Sequence, residues 1–402
     1  MRNNIIDFFE KYSNLEFIID SNDGRVYSYS DILRMSISLN NNLCDLSINS
    51  RSRVLIVLDH SVDFLVSILA CAIGGHIACP VNPELFDKKL SLYKKLIGYD
   101  FVINKDSYKS ISKKNNCKKM PAVNKDDNDF LILPSSGTTS DSKFIVLGIR
   151  TMLDSAISFS KLTNSTKKSR YIHNMPMYYM AGIFNLFFVP MVSGSSVVIE
   201  SRTGPALLID YWSNQYRHHV NRLILTPTVA YSVSRMERDV ERISNMLKTY
   251  EMVISTGSIL YESIRSIFNK TYSHNILSCY GVTELGGSLT IQNDNSHLLP
   301  FNVGFHKSGI HVKINKTSGQ TFGRVLIKTP FMFKGYLKNS EKKITVDSEG
   351  YFDTGDIGEY KDQQLFIYGR DNDSIKKGGE FVNLTNVENA AIQCQKVKEA
   401  AA

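Results

Sequence analysis

HNILSCYGVTELGG, His274 to Gly287, closes a repeating pattern and decides the fold class. HNILS (His274–Ser278) reads as a strand, and a helix is expected before it, from Tyr261. Further upstream come MVIST (Met252–Thr256), a helix after Pro227, RLILT (Arg222–Thr226), a helix around Ala206–Tyr216, and SSVVIE (Ser195–Glu200). Strand and helix in regular alternation are the mark of parallel α/β sheets. Nearer the N-terminus, RVLIVL at Arg53–Leu58 is a short apolar run that reads as a buried strand. Ile32, Leu33, Met35, Leu39, Leu43 and Leu46 recur at helical spacing and predict a helix over Asp31–Leu46. From about Gly304 short strands with glycine turns take over (HVKI, GRVLIKT, YFDTGD, QQLFIYG), which predicts a small β-rich subdomain. There is no internal repeat.

Composition narrows the class. Of the 402 residues, 43% are hydrophobic and 21% charged, a globular balance with ample length for a buried core. MRNNIIDFFEKY has no charged-then-apolar leader pattern. Val62–Val81 is apolar for the length of a membrane span, but Asp63, His76 and Gly74-Gly75 interrupt it, so a buried helix plus a strand is expected. The six cysteines are scattered without a CxxC pair, which fits a reduced, cytoplasmic protein. The nine histidines show no HExxH or other ligand spacing. A net charge of +8 comes with lysine clusters but no nucleic-acid motif, so it reads as a solvated basic surface that would also favour a polyanionic substrate.

Three constellations carry chemistry. In PSSGTTSDSKFIVL (Pro134–Leu147), a strand leads into a loop of small hydroxyl residues, then Lys143, then another strand. Small residues let backbone N–H groups approach a phosphate, hydroxyls add donors and lysine adds charge. A Walker loop is rejected, because the second glycine is missing and no helix follows. SxxK at Ser140–Lys143 is set aside because KFIVLG reads as a strand. The plain alternative is a polar hairpin loop. In CYGVTELGG (Cys279–Gly287), a strand end offers Tyr280 for stacking on a base, Thr283 for phosphate and Glu284 for magnesium, though YGxTE also suits an ordinary turn. In DSEGYFDTGDIGEY with LFIYGRDND, Asp356 sits in an expected tight turn and could accept from two ribose hydroxyls, with Arg370 forking onto ribose or phosphate. A surface ion pair between them is the alternative.

The joint order of these motifs, ending in GR and KxxG, resembles the adenylate-forming family: acyl- and aryl-CoA synthetases, luciferases and nonribosomal peptide adenylation domains. VYSYSDI near Val26, Val81-Asn82-Pro83, TPTV at Thr226, STGSIL at Ser255 and FKGYLKN at Phe333 fall in the same order, so the resemblance covers nearly the whole chain. It implies an α/β fold: a large N-terminal domain, residues 1–371, of two α/β sheets packed together plus the β-rich subdomain. Hinge and truncated start of a mobile C-terminal α+β domain would follow at 372–402. It implies activation of a carboxylic acid by ATP with Mg2+ to acyl-AMP, then transfer to CoA or to a carrier protein's pantetheine. Ser135, Ser136, Gly137, Thr138, Thr139 and Lys143 would cradle the phosphates, and Tyr280 and Gly281 would pack at adenine. Thr256, Gly257 and Ser258 would line the adenine and acyl side, with Tyr179, Met180, Gly182 and Gly286 in the acid pocket. Thr283 would touch the α-phosphate, Glu284 would ligate magnesium, Asp356 would hold the ribose with Arg370 beside it, and Asn372 would mark the hinge. Thr138, Lys143, Thr283 and Glu284 would be catalytic.

Several positions depart from the pattern. Ser140-Asp141-Ser142 replaces the usual glycines and proline of the phosphate loop, Asn372 replaces the usual Asp or Lys, and Tyr179 stands where many members carry His. No Asp lies between Ser155 and Asp210 to pair with a substrate ammonium, which favours a fatty, aryl or other non-amino acid. SIKKGGEFVNLTNVENA resembles the start of the C-terminal domain, with Lys376, Gly379 and Glu388 in place, and QKVKEAAA resembles its next strand. About 100 further residues, one small domain, would be absent, among them the lysine that stabilises the adenylation transition state. An idle nucleotide-binding relative and an amino-acid adenylation domain are the competing readings.

Overall fold

The structure is a computed structural model. It describes residues 4–371 apart from 114–126, 135–142, 201, 203, 237–238, 294–298, 317–318 and 339–340, and then 374–377, 380–383 and 387. The phosphate-loop residues Ser135, Ser136, Gly137, Thr138 and Thr139 and the hinge residue Asn372 lie outside the described residues, as do Gly379 and Glu388.

The chain divides into two compact units. The first comprises Met1–Leu223, Thr283–Ser288 and Phe331–Ile344. Its seven-stranded sheet runs Glu341–Lys343, Gly335–Lys338, Phe144–Gly148, Asp129–Pro134, Ile77–Pro80, Arg53–Val57, Phe101–Asn104. The Arg53, Ile77, Phe101 and Asp129 strands are parallel. The Phe144 strand returns antiparallel from the Asp129 strand, so the expected parallel sheet is in fact mixed. A strand follows Lys143, as the rejection of a Walker loop requires. A second group in this unit orders Val26–Ser28, Glu16–Asp20, Ser196–Ile199 and Arg170–His173, parallel except at its outer hairpin. Leu55, Cys79, Ile132, Phe144 and Val146 belong to one buried cluster in this unit.

Local sequence explains these elements. The helix Tyr29–Asp45 begins at a capping box in which Ser28 accepts from the Asp31 N–H and Asp31 accepts from the Ser28 N–H, inside VYSYSDI. Val62–Val81 is a buried helix, Val62–Gly74, followed by the strand Ile77–Pro80. Among the described residues no helix is long and apolar enough to cross a membrane. The helix expected around Ala206–Tyr216 is broken: a 3-10 turn spans Gly204–Leu208 and a helix Tyr211–Arg217. Asp210 between them sits at φ 56°, a left-handed conformation that interrupts helical hydrogen bonding and that Asp tolerates better than most residues.

The second unit comprises Ile224–Val282, Leu289–Pro330 and Thr345–Ala402. Met252–Ser255 and Leu277–Val282 pair in parallel, and the helix Glu262–Tyr272 joins them. The strand expected at His274–Ser278 starts three residues late and runs on through Tyr280, because the polar pair His274-Asn275 precedes the first buried residues, Ile276 and Leu277. The β-rich stretch forms antiparallel pairs among Asn302–His306, Gln364–Arg370, Phe352–Lys361, Gly323–Lys328 and His311–Lys316. Ser374–Lys377 and Glu380–Asn383 form a separate hairpin.

Two predictions follow from this packing. At Gly304 (φ 83°) an added Cβ would lie 2.0 Å from the Ile291 carbonyl oxygen, whereas at Gly24 (φ 72°) it would meet nothing within 4 Å. Gly304→Ala is therefore expected to cost well over ~2 kcal/mol and Gly24→Ala about 1 kcal/mol, read by thermal unfolding; equal losses would sink this packing. In the first unit, the rings of His60 and His173 meet edge to face at 4.7 Å, with ring nitrogens that accept or donate no hydrogen bond among the described residues. Burial pushes the His60 imidazole down to about 4 and holds His173 well below the usual histidine range. Between pH 6.5 and 4 the unfolded chain thus binds more protons at these sites, so stability is lost as pH falls through that window. His60→Asn should flatten that slope in denaturant titrations at stepped pH, and an unchanged slope would refute the assignment.

Candidate functional site

In the first unit, the site grows from the edge of the seven-stranded sheet. Gly335–Lys338 pairs antiparallel with the Phe144 strand, Tyr336 opposite Ile145 and Leu337 opposite Phe144. Side chains alternate faces along a strand, so Lys143, Ile145 and Tyr336 share one face. The Lys143 ammonium lies 5.2 Å from the centroid of the Tyr336 ring. The Tyr336 hydroxyl donates to Glu284 Oε1 at 2.7 Å. Glu284 sits in the 3-10 turn Thr283–Leu285, and its backbone carbonyl accepts from the Phe333 N–H at 2.8 Å. Lys143, Glu284 and the FKGY segment, far apart in sequence, are thus brought together. Tyr336 is the residue that sequence reasoning missed: FKGYLKN marked the segment, but only the register of the strands aims its hydroxyl.

The residues expected around the acid are half buried and half exposed. Tyr179 is 49% exposed and precedes the short helix Met180–Ile183, whose Met180 and Gly182 are buried. Gly182 lies so near the Pro176 carbonyl and the His173 ring that a Cβ there would come within 2.4 and 3.2 Å of them, so it serves packing. The helix runs on into a π-helical stretch, Phe184–Phe188, a distortion common at functional positions. Gly286 is buried; its carbonyl accepts from Ser155 Oγ at 2.5 Å, and a Cβ there would lie 2.7 Å from the Phe331 carbonyl oxygen.

In the second unit, Asp356 is not in the expected tight turn. It lies inside the strand Phe352–Lys361, where Leu326 pairs with Asp353 but Arg324 pairs with Ile357. The extra residues form a bulge at Thr354-Gly355, with Gly355 at φ 75°, and a bulge re-aims the side chain beside it. Asp356 is buried, with Oδ2 accepting from the Tyr280 hydroxyl at 2.5 Å and Oδ1 3.5 Å from Arg370 Nε. Asp356 and Arg370 are direct cross-strand partners. Burial and the neighbouring Asp356 carboxylate push the Tyr280 phenol well above its ordinary range, so it remains a donor. Thr354 Oγ1, a contact the sequence did not suggest, accepts from the Asp356 N–H at 3.1 Å. Thr256 is buried and donates its N–H to the Leu225 carbonyl, while Gly257 and Ser258 are exposed at the following turn and Gly281 is exposed at the end of its strand.

A magnesium ion needs oxygen ligands and keeps bonds to water and to substrate phosphates. Glu284 fits: one oxygen takes the Tyr336 proton, and the other accepts no hydrogen bond among the described residues. Among those residues no group of three His, Cys, Asp or Glu could form a closed metal cage.

Comparison with known proteins agrees with this geometry. The chain is 24% identical over 274 residues to a putative acyl-coenzyme A synthetase of Emericella nidulans, covering 64% of this chain and 48% of that one. It is 23% identical over 410 residues to an oxalate–CoA ligase of Saccharomyces cerevisiae, covering 87% and 74%. The chain spans about half the length of several curated relatives it matches. The crystal structure of ATP-bound MatB from Rhodopseudomonas palustris superposes with a TM-score of 0.84 at 20% identity, over 99% of this chain and 85% of that one, which establishes the shared fold. The AMP-binding enzyme profile matches residues 7–337, and the chain belongs to that family.

Proposed function

We propose that this chain activates a carboxylic acid with ATP, forming an acyl-adenylate that a thiol then consumes. The observation that carries this reading is the Asp356 carboxylate, re-aimed by a bulge and held beside Arg370 and Tyr280, an acceptor suited to two vicinal ribose hydroxyls. Nucleotide binding at the Tyr280–Asp356 strands would set the adenosine. Ser135, Ser136, Gly137, Thr138, Thr139 and Lys143 would receive the phosphates, with Thr283 at the α-phosphate. The acid's carboxylate oxygen attacks the α-phosphorus, the bond to the pyrophosphate oxygen breaks, and pyrophosphate leaves with its electron pair. A thiolate then attacks the acyl carbon, and AMP departs. Positioning and charge neutralisation supply most of the rate in such a reaction. Mg2+, when held by Glu284 and the phosphates, would neutralise the developing charge. Lys143 does the same from the other side of Tyr336.

The acid belongs to the fatty, aryl or other non-amino class. That choice rests on the apolar Met180–Phe188 segment and the lack of an Asp between Ser155 and Asp210, and the two relatives above are named for acyl-coenzyme A and oxalate–CoA chemistry. The acceptor is CoA or a carrier protein's pantetheine. Residues 1–371 form the nucleotide-binding domain, Asn372 the hinge, and 372–402 the start of the next domain. A reducing, cytoplasmic location suits the dispersed cysteines.

Two measurements check this function. Acid-dependent exchange of pyrophosphate into ATP should appear with one acid class in a panel of aliphatic, aryl and amino acids. Exchange with none of them, in the presence of tight ATP binding, would favour an idle nucleotide-binding relative. Asp356→Ala should weaken AMP binding by about 10- to 100-fold, the worth of a charge-assisted hydrogen bond, with the melting temperature little changed. Unaltered AMP affinity would remove Asp356 from the site.

A further inference from the structure

Glu284 is the one described side chain to which the reading above gives a magnesium ion, and it stands in a shallow, half-buried turn. A glutamate there rotates freely unless something holds it, and a freely rotating carboxylate pays conformational entropy on meeting a cation. Tyr336 supplies the hold. Its hydroxyl donates to Glu284 Oε1 at 2.7 Å, while the Phe333 N–H fixes the backbone carbonyl of the same residue at 2.8 Å. Tyr336 is itself fixed three times over. Its strand is paired to Phe144–Gly148, the adjacent Lys334 N–H donates to the Val146 carbonyl at 2.7 Å, and its ring packs edge-on to Phe333 at 4.9 Å. The face of the same ring lies 5.2 Å from the Lys143 ammonium.

One aromatic ring therefore meets two opposite charges, the cation at its face and the anion at its hydroxyl. Lys143 and Glu284 form no ion pair with each other among the described residues, although a direct pair would satisfy both and take both away from a ligand. We infer that Tyr336 is a positioning residue for the nucleotide's metal and phosphates. It orients Glu284 so that Oε2 is presented to the cation, and it separates Glu284 from Lys143 so that each charge stays available. This rests on the proposal that the site takes ATP with magnesium, and it concerns a residue that touches neither substrate nor metal.

The test is calorimetric ATP binding by the protein, with and without Mg2+, alongside pyrophosphate exchange. Wild-type protein should bind ATP more tightly with Mg2+ present. Tyr336→Phe keeps the ring under Lys143 and removes only the donor. It should reduce the magnesium-dependent gain about tenfold, the usual consequence of losing a partner of a metal ligand, and leave magnesium-free ATP binding unchanged. Tyr336→Leu should in addition weaken magnesium-free binding about two- to fivefold, as the cation loses the ring face. Tyr336→His, which keeps a donor, should recover part of the gain lost in Tyr336→Phe. A magnesium-dependent gain that is intact in Tyr336→Phe, or absent from wild type, overturns the inference, as do Phe and His variants that are equally impaired. Should exchange be absent while the gain is present in wild type and lost in Tyr336→Phe, the adenylation reading fails and the role of Tyr336 stands. Should exchange proceed while Tyr336→Phe behaves as wild type, the reverse holds.

Discussion

The antiparallel pairing of Gly335–Lys338 with Phe144–Gly148 is the constraint on which the first unit's site depends. This pairing is long-range: it joins residues almost two hundred positions apart and pays loop-closure entropy for every contact it makes. In return it fixes the residue at the exit of the phosphate loop, Lys143, opposite the segment that carries Tyr336. The flanking residues reinforce it. Lys334 Nζ lies 2.8 Å from Asp127 Oδ2, and Asp127 also accepts from the Arg150 and Thr151 N–H groups at the start of the helix Ile149–Leu162. A carboxylate at a helix N-terminus is favoured by the orphan N–H groups there. Sheet edge, helix start and Glu284 turn are thereby referenced to one another through side chains that touch no ligand.

The second unit solves a different problem with an irregularity. A regular strand at Phe352–Lys361 would place successive side chains on alternate faces at fixed spacing. The bulge at Thr354-Gly355 breaks that spacing and aims Asp356 at Tyr280 and Arg370. A buried carboxylate is costly unless charge-assisted hydrogen bonds offset its desolvation. Tyr280 and Arg370 do so here, which keeps the group ionised and oriented. In the proposed reaction, ribose hydroxyls would join these donors around an acceptor that is already set. That lowers the reorganisation a nucleotide must bring about on arrival.

The chemistry of the family member is modulated by side chains around these fixed points. Ser140-Asp141-Ser142 places β-carbons and a negative charge in a loop whose relatives use glycine and proline. A β-carbon restricts backbone conformations that glycine allows, and an aspartate near phosphates repels them. On the acid side, the π-helical Phe184–Phe188 brings Phe184 hard against Gly287, where a Cβ would come within 2.7 Å of the ring. An apolar helix seated that closely can select a carboxylic acid by shape, since a hydrophobic wall discriminates weakly between near isosteres and strongly against bulk.

Residue periodicity and capping chemistry are local, so the sequence alone determined the α/β class and most element positions. It also determined the order of the motifs and the helix start at Ser28 and Asp31. The strand after Lys143 was legible for the same reason, and it excluded a Walker loop. Where local cues competed, tertiary structure decided. Left-handed Asp210 split an apparently continuous helix, and the His274 strand began only where burial began. The expected tight turn at Asp356 became a bulge, because its geometry is set by the Gly323–Lys328 neighbour. Tyr336 shows the limit most clearly. Nothing in FKGYLKN says that its hydroxyl meets Glu284 or that its ring faces Lys143. Those contacts are products of strand register, and register is a property of two segments at once, which no single stretch of sequence encodes.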